Sequence, residues 1–169
     1  MDTMQAIFTR RSIRHYTHDP VTQEKLDAVL RAAMFAPSAG NQRPWHFVVI
    51  TGRKTLDQIP SFHPHSLMVK EAVAAVLVCG DPTLEKHQGY WVQDCAAATE
   101  NLLLAAHANG LGSVWVGVYP REERMTGFRK LLNIPDHVMP FALAPLGFPA
   151  EEKQQPDRYQ PDRIHTDGW

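Results

Sequence analysis

With 169 residues, 44% of them hydrophobic and 21% charged, the chain has apolar material for one core and fits a single domain spanning residues 1–169. Seventeen Lys and Arg against eighteen Asp and Glu leave a net charge of −1, which argues against a surface built to attract nucleic acid. Cys79 and Cys95 lie in apolar stretches too far apart for a CxxC pair, so neither a disulfide framework nor a zinc knuckle is indicated. No apolar run approaches the ~20 residues that span a bilayer, and the first residues lack the order of a signal peptide. The expectation is a cytoplasmic protein that stays off membranes.

Residues 3–10 (TMQAIFTR) read as a first helix. Residues 22–35 read as a second, with Leu26, Val29, Leu30 and Ala33 at helical spacing, Thr22 as N-cap and Pro37 marking the exit. The runs 46–51 (HFVVIT), 74–80 (AAVLVCG), 113–119 (SVWVGVY) and 141–148 (FALAPLGF) are short, apolar and rich in β-formers, as in strands buried on both faces. Pro145 makes the last of them the least regular. Between the second and third strands, residues 91–110 form a long helix stopped by Asn109 and Gly110. Cys95, Ala98, Leu102 and Ala105 mark one stripe on it, and Val92, Ala96, Leu103 and Ala106 mark another. The second stripe points to a partner subunit; a central core helix in a monomer is the alternative. After Gly147 proline and charge thicken, as in an extended tail rather than a packed domain.

Alternating strands and helices invite a nucleotide-binding reading. However, GLGSVWVG has Trp115 where the dinucleotide fingerprint needs its third glycine, and no GxxxxGK[ST] loop exists. In RRSIRHY, residues 10–16, the planar guanidinium forks of Arg10, Arg11 and Arg14 and the Ser12 hydroxyl match a compact dianion such as one phosphate. A solvated, charged helix end is the plainer reading of the same cluster. Residues 36–50 (APSAGNQRPWHFVVI) run small residues and two prolines into a strand, with Asn41 offering a donor and an acceptor. Such a loop lets backbone approach a flat ligand, and it is also the common form of a helix-to-strand connection. HPH at 63–65 has Pro64 between its histidines and no acidic or cysteine ligand nearby; it reads as a loop bordering a substrate mouth, with no metal implied. Trp91 and Trp115 read as packing or interface aromatics, and the cysteines as small buried hydrophobes.

Four segments together, RRSIR, PSAGNQRPW, WVQDCAAATENLLLAAHANGLGSVWVGVYP and LGFPAEEKQQPDRYQPDRIHTDGW, resemble in order the FMN-dependent nitroreductase family. The resemblance implies an α+β fold, an α/β/α sandwich with a central mixed sheet flanked by helices. It also implies an obligate homodimer with two flavin sites at the interface and a C-terminal tail extended over the partner. Carried over by position, Arg10 and Ser12 would face the phosphate of non-covalently bound FMN, and Arg11 the phosphate and ribityl chain. Arg14 would meet the pyrimidine edge, where a fixed cation favours the reduced state. Pro37, Ser38 and Asn41 would meet the flavin from the other subunit. The Val116 and Gly117 backbone would approach N5 with Trp115 beside it. Arg158, and more weakly Lys153, would close on the phosphate. The family commonly has glutamine where Arg43 stands, a departure that removes whatever that glutamine would contact. The implied reaction is ping-pong: NADH or NADPH gives hydride to flavin N5, and a nitroaromatic, quinone or similar electron-poor small molecule then takes it, with no obligatory acid or base side chain. Same-fold alternatives are a dehydrogenase, an enone reductase or a dehalogenase; a non-redox anion- or nucleic-acid-binding module is the rival from another class.

Overall fold

The structure is a computed structural model that describes residues 1–169. Asp2 opens helix α1 (Thr3–Thr9) by accepting from the Gln5 N–H at 2.8 Å. Thr22 opens α2 (Gln23–Met34) in the same way, accepting from the Lys25 N–H at 3.4 Å, and Leu26, Val29 and Ala33 are buried as their spacing requires. The chain then forms β1 (Trp45–Ile50), α3 (Arg53–Gln58), β2 (Ala74–Gly80), α4 (Trp91–Ala108), β3 (Gly112–Ser113), β4 (Val116–Gly117), α5 (Glu122–Leu132) and β5 (Met139–Gly147).

The sheet runs β1-β2-β5-β3, with β4 also paired to β5. The strand pairs are antiparallel, and a parallel bridge between Ser12 and Ser113 makes the sheet mixed. Every residue of β2 is buried because alternate side chains enter different cores. Val76 and Val78, with Ala142 and Ala144 of β5, pack under α2 and α4 against Val29, Ala98 and Leu102. Ala75 and Leu77, with Leu143 of β5, pack on the opposite face against Leu56 of α3 and Met125 and Phe128 of α5. The result is the α/β/α sandwich.

Four expectations need correction. The first strand is not buried on both faces: β1 is an edge strand, with His46 and Val49 exposed. The run 113–119 is not one strand, because the backbone leaves the sheet at Val114 and Trp115 and returns at Val116. The last strand does carry an irregularity but not at Pro145, which pairs opposite Ala75; the register shifts where Val78 and Cys79 of β2 face Ala142 and Pro140, leaving Phe141 of β5 as the extra residue. The two stripes of α4 are not separate faces, since Leu103 and Ala106 are buried together with Cys95, Ala98 and Leu102 between α2 and the sheet. Val92, Ala96 and Leu104 stay half-buried. Helices α3 and α5 have no counterpart in the sequence pattern; α5 buries only Met125 and Phe128 and carries Gly127 in its middle.

Residues 10–16 are laid along the sheet by backbone bonding. The Ile13 N–H donates to the Ser113 carbonyl at 2.9 Å, and the buried Tyr16 hydroxyl donates to the Ile13 carbonyl at 2.6 Å. The approach is close enough that a Cβ on Gly112 would lie 2.7 Å from Ile13 Cγ2. Gly112→Ala is therefore expected to force the arm off β3 and to cost about 1–3 kcal/mol, the usual range for an overpacked site. Urea unfolding of the variant beside the parent protein measures it.

Candidate active site

A cavity of about 460 Å³ opens where the arm, the split strand and the start of α5 meet. Its walls carry Arg14, the 114–117 backbone with Trp115, the loop 63–68 and Arg124. Trp115 is 37% exposed and rests edge-on against Phe141, with ring centroids 5.8 Å apart. Val116 and Gly117 are held in the sheet opposite Leu143 and Ala142.

Two side chains grip the carbonyl of Gly117. His63 Nε2 lies 2.9 Å from it and Arg124 Nη1 donates to it at 2.8 Å. His63 is fully buried, and burial pushes its pKa below the ordinary value, with the positive charge of Arg124 acting in the same direction. The ring is thus neutral. Because a carbonyl only accepts, Nε2 carries the proton and Nδ1 is left as a buried lone pair without a partner. Arg124 Nε is also buried and unpartnered. Neither Arg124 nor Arg14 has a carboxylate within ion-pair distance.

The residues singled out in the sequence do not all meet at one point. Arg14, Trp115, Val116 and Gly117 share the cavity. Arg11 and Arg158 line a second groove, of about 870 Å³, between α1 and the tail, with Ile7, Phe8 and Tyr159. Arg10 turns to α4, where its Nε lies 3.5 Å from Glu100, and Ser12 sits in the bridge to Ser113. Lys153 pairs with Glu151 at 2.6 Å. Pro37, Ser38 and Asn41 lie on a separate loop and line neither space. There Ser38 Oγ accepts from the Arg43 N–H at 3.0 Å, and Asn41 is exposed with φ 53°.

That loop is positioned by Gln42 and Asp94, which lie within the PSAGNQRPW and WVQDC segments but to which the sequence pattern assigns no role. Asp94, buried in the first turn of α4, accepts from the Ala39 N–H at 3.0 Å and from Gln42 Nε2 at 2.7 Å. Gln42 Oε1 in turn accepts from the Lys86 and His87 N–H groups at 2.9 and 3.1 Å. Gln42 is thus buried and bonded at both ends, whereas Arg43 beside it is exposed with φ 48°. Arg124 escapes the sequence pattern because its helix does, whereas His63 lies in the segment expected to border a substrate mouth. No group of three or more His, Cys, Asp or Glu side chains is placed to hold a metal. Both thiols are buried, and burial raises their pKa values, that of Cys79 to about 12, so neither is a nucleophile at neutral pH.

The site is thus a cavity lined by two unpaired arginines beside a split strand, set in an α/β/α sandwich. The profile of the nitroreductase family matches residues 7–90 and 74–148. A protein of Methanothermobacter thermautotrophicus with the provisional name NADH dehydrogenase/NAD(P)H nitroreductase is 53% identical over all of this chain and 88% of its own length. A solved structure with the same provisional name, from Parabacteroides distasonis, is 42% identical, with a TM-score of 0.94 over 99% of this chain and 98% of the other. An FMN complex of a provisionally named nitroreductase from Desulfovibrio desulfuricans is 29% identical, with a TM-score of 0.85 over 100% and 99% of the two chains. The chain belongs to the nitroreductase family.

The arm carrying Arg14 is tied to the start of the tail by Glu151, whose Oε1 accepts from the Arg14 and His15 N–H groups at 2.6 and 3.3 Å. Burial works to raise its pKa, but the bonds from Lys153 and from the Arg14 N–H outweigh burial and hold it below the ordinary 4.5. A carboxyl depressed in the folded state stabilises the fold above its unfolded pKa, and that stabilisation disappears as pH falls through the folded value. Glu151→Gln is accordingly expected to be less stable than the parent at neutral pH, with the gap closing below about pH 4. Urea midpoints across that range decide the matter.

Proposed function

We propose that this protein is an FMN-dependent NAD(P)H oxidoreductase that passes two electrons to a nitroaromatic, quinone or similarly electron-poor small molecule in a ping-pong cycle. The observation that carries the reading is the meeting of Arg14, an arginine with no carboxylate partner, with the Val116–Gly117 backbone and the half-exposed Trp115 around one cavity. These groups fit a flat ring with a polar edge. Val114, Leu67 and Met68 supply apolar wall, Arg14 supplies a fixed cation, and the clamped Gly117 peptide supplies a strand end whose orientation is set beforehand. The FMN seen in the Desulfovibrio relative supports the same assignment here.

FMN, when bound, supplies a two-electron carrier between the nicotinamide and the acceptor. For a nitro acceptor the balance is NAD(P)H + H⁺ + R–NO₂ → NAD(P)⁺ + R–NO + H₂O. Arg14 favours the more negative redox state by charge, without moving a proton. His63 is neutral and committed to the Gly117 carbonyl, so it serves as scaffold. Arg11 and Arg158, facing one groove, would hold the cofactor's phosphate with Ser12 and Arg10 close by in sequence. The Pro37, Ser38 and Asn41 loop would complete the pocket of a second copy. A homodimer is supported by uncovered apolar surface: Met4, Ile7 and Phe8 on α1 are exposed, and Phe35 is 82% exposed. No helix is long and apolar enough to cross a membrane, and a cytoplasmic site of action accords with two free thiols.

The purified protein is expected to retain FMN through dialysis, to lose the yellow absorbance on anaerobic addition of NADH or NADPH, and to scatter light as a dimer. Arg14→Ala is expected to weaken FMN binding about tenfold or more, as the loss of one charge-assisted contact, and to lower the bound flavin's reduction potential. Protein that is colourless after incubation with excess FMN and removal of the unbound flavin would reject the proposal.

A further inference from the structure

The cavity is lined by guanidinium groups from two elements and by no carboxylate: Arg14 comes from the arm and Arg124 from the first turn of α5, and the loop 63–68 adds the His65 imidazole. The acidic side chains around it are engaged elsewhere. Glu151 is bound to the Arg14 and His15 backbone and to Lys153, Glu71 pairs with His15 at 3.1 Å, and Glu123 faces a different groove beside Lys130. Arg124 is only partly exposed, spends one donor on the Gly117 carbonyl and leaves Nε without a partner. An arginine taken partly out of water without a counter-ion is costly, and an incoming anion offsets that cost.

Resting on the flavoenzyme reading, in which Arg14 serves the cofactor, we propose that Arg124 selects the acceptor: the protein prefers electron-poor aromatics that carry a carboxylate or sulfonate over neutral or cationic ones. The preference is electrostatic and acts on binding. The guanidinium groups of Arg14 and Arg124 line the cavity with no carboxylate among its walls and none paired to either, so its lining carries net positive charge. An anion held by the Arg124 fork would lie beside the Gly117 peptide, against the same strand end that faces the cofactor.

Three nitroarenes of different charge separate binding from chemistry: 4-nitrobenzoate, methyl 4-nitrobenzoate and (4-nitrobenzyl)trimethylammonium, each reduced by NADH or NADPH with the FMN-loaded protein. The ester is more electron-poor than the carboxylate, so reducibility alone favours the ester. The expected result is the reverse, a kcat/KM about tenfold higher for 4-nitrobenzoate than for its ester, expressed mainly in KM, with the cation the poorest. Arg124→Gln, which keeps an amide donor but no charge, is expected to abolish the preference, and Arg124→Lys to retain most of it. Calorimetric titration of the FMN-loaded parent protein with benzoate and benzamide adds a readout without turnover: benzoate should bind and benzamide should bind at least tenfold more weakly. This titration stands even if the Gln variant fails to fold. Turnover of all three nitroarenes with the ester equal to or ahead of the carboxylate, equal binding of benzoate and benzamide, or a preference that survives in Arg124→Gln would overturn this inference while leaving the flavin reading intact. Failure to bind FMN, or FMN bound but never reduced by nicotinamide, overturns the flavin reading and this inference with it.

Discussion

The short parallel bridge between Ser12 and Ser113 decides where everything functional lies. It is a small contact, yet it is locked from three directions. Ile13 presses on Gly112 where no side chain fits, Tyr16 plugs into the core and bonds back to Ile13, and Glu151 holds the Arg14 peptide from the tail side. With the arm fixed this way, Arg14 faces the end of the split strand, and the neighbouring arginines are distributed by the backbone alone. Arg10 goes toward α4 and Arg11 toward the tail. The cluster that looks continuous in sequence thus serves three surroundings, because successive side chains of an extended segment point in different directions.

The electrostatic design is one of withheld partners. In a domain whose net stability is a small difference between large terms, an unpaired guanidinium taken partly out of water, as that of Arg124 is, is a standing cost. Glu100 and Glu151 show that the fold supplies carboxylates to this region, to Arg10 and to Lys153 respectively. Arg14 and Arg124 receive none. Their attachment to a backbone carbonyl, for Arg124, and to the solvent margin, for Arg14, keeps them charged and available, which is what a site for an anionic or electron-rich ligand edge requires.

Elements with a strong internal period are legible in the amino-acid pattern. Strand β2 is apolar throughout because both faces are covered, and α2 shows its buried stripe and its Thr22 cap directly. Helix α5 is not legible: it buries two side chains, and Gly127, needed so that the Phe62 ring can lie against it, dilutes the helical signal. The break at Val114 and Trp115 is hidden because a residue that turns out of a sheet to line a cavity is as apolar as one that stays in. Of the site, the charge cluster carrying Arg14 stands out by composition. The Asp94 and Gln42 pair does not, because a buried polar contact between residues 52 positions apart leaves no periodic trace. Its effect is nonetheless large, since it sets the path of the loop holding Pro37, Ser38 and Asn41.

The phosphate capture proposed for the groove beside α1 would be an exchange rather than a simple gain. Arg11 closes the C-terminal end of α1 on itself, donating through Nη1 to the Phe8 and Arg10 carbonyls and through Nε to the Gln154 carbonyl of the tail. A cation at that end also answers the helix's negative pole. A phosphate drawing on this guanidinium must replace bonds already satisfied, so the net return is smaller than the gross strength of the new contacts. Arg158, by contrast, is exposed on a tail whose side chains are almost all exposed, and it is engaged in no ion pair. Its contribution is opposed mainly by the entropy of ordering that tail. On the proposed function, a second copy packing over the exposed Ile7 and Phe8 would hold the same segment, so cofactor binding and subunit association would draw on one ordering cost, and whichever came first would lower the cost of the other.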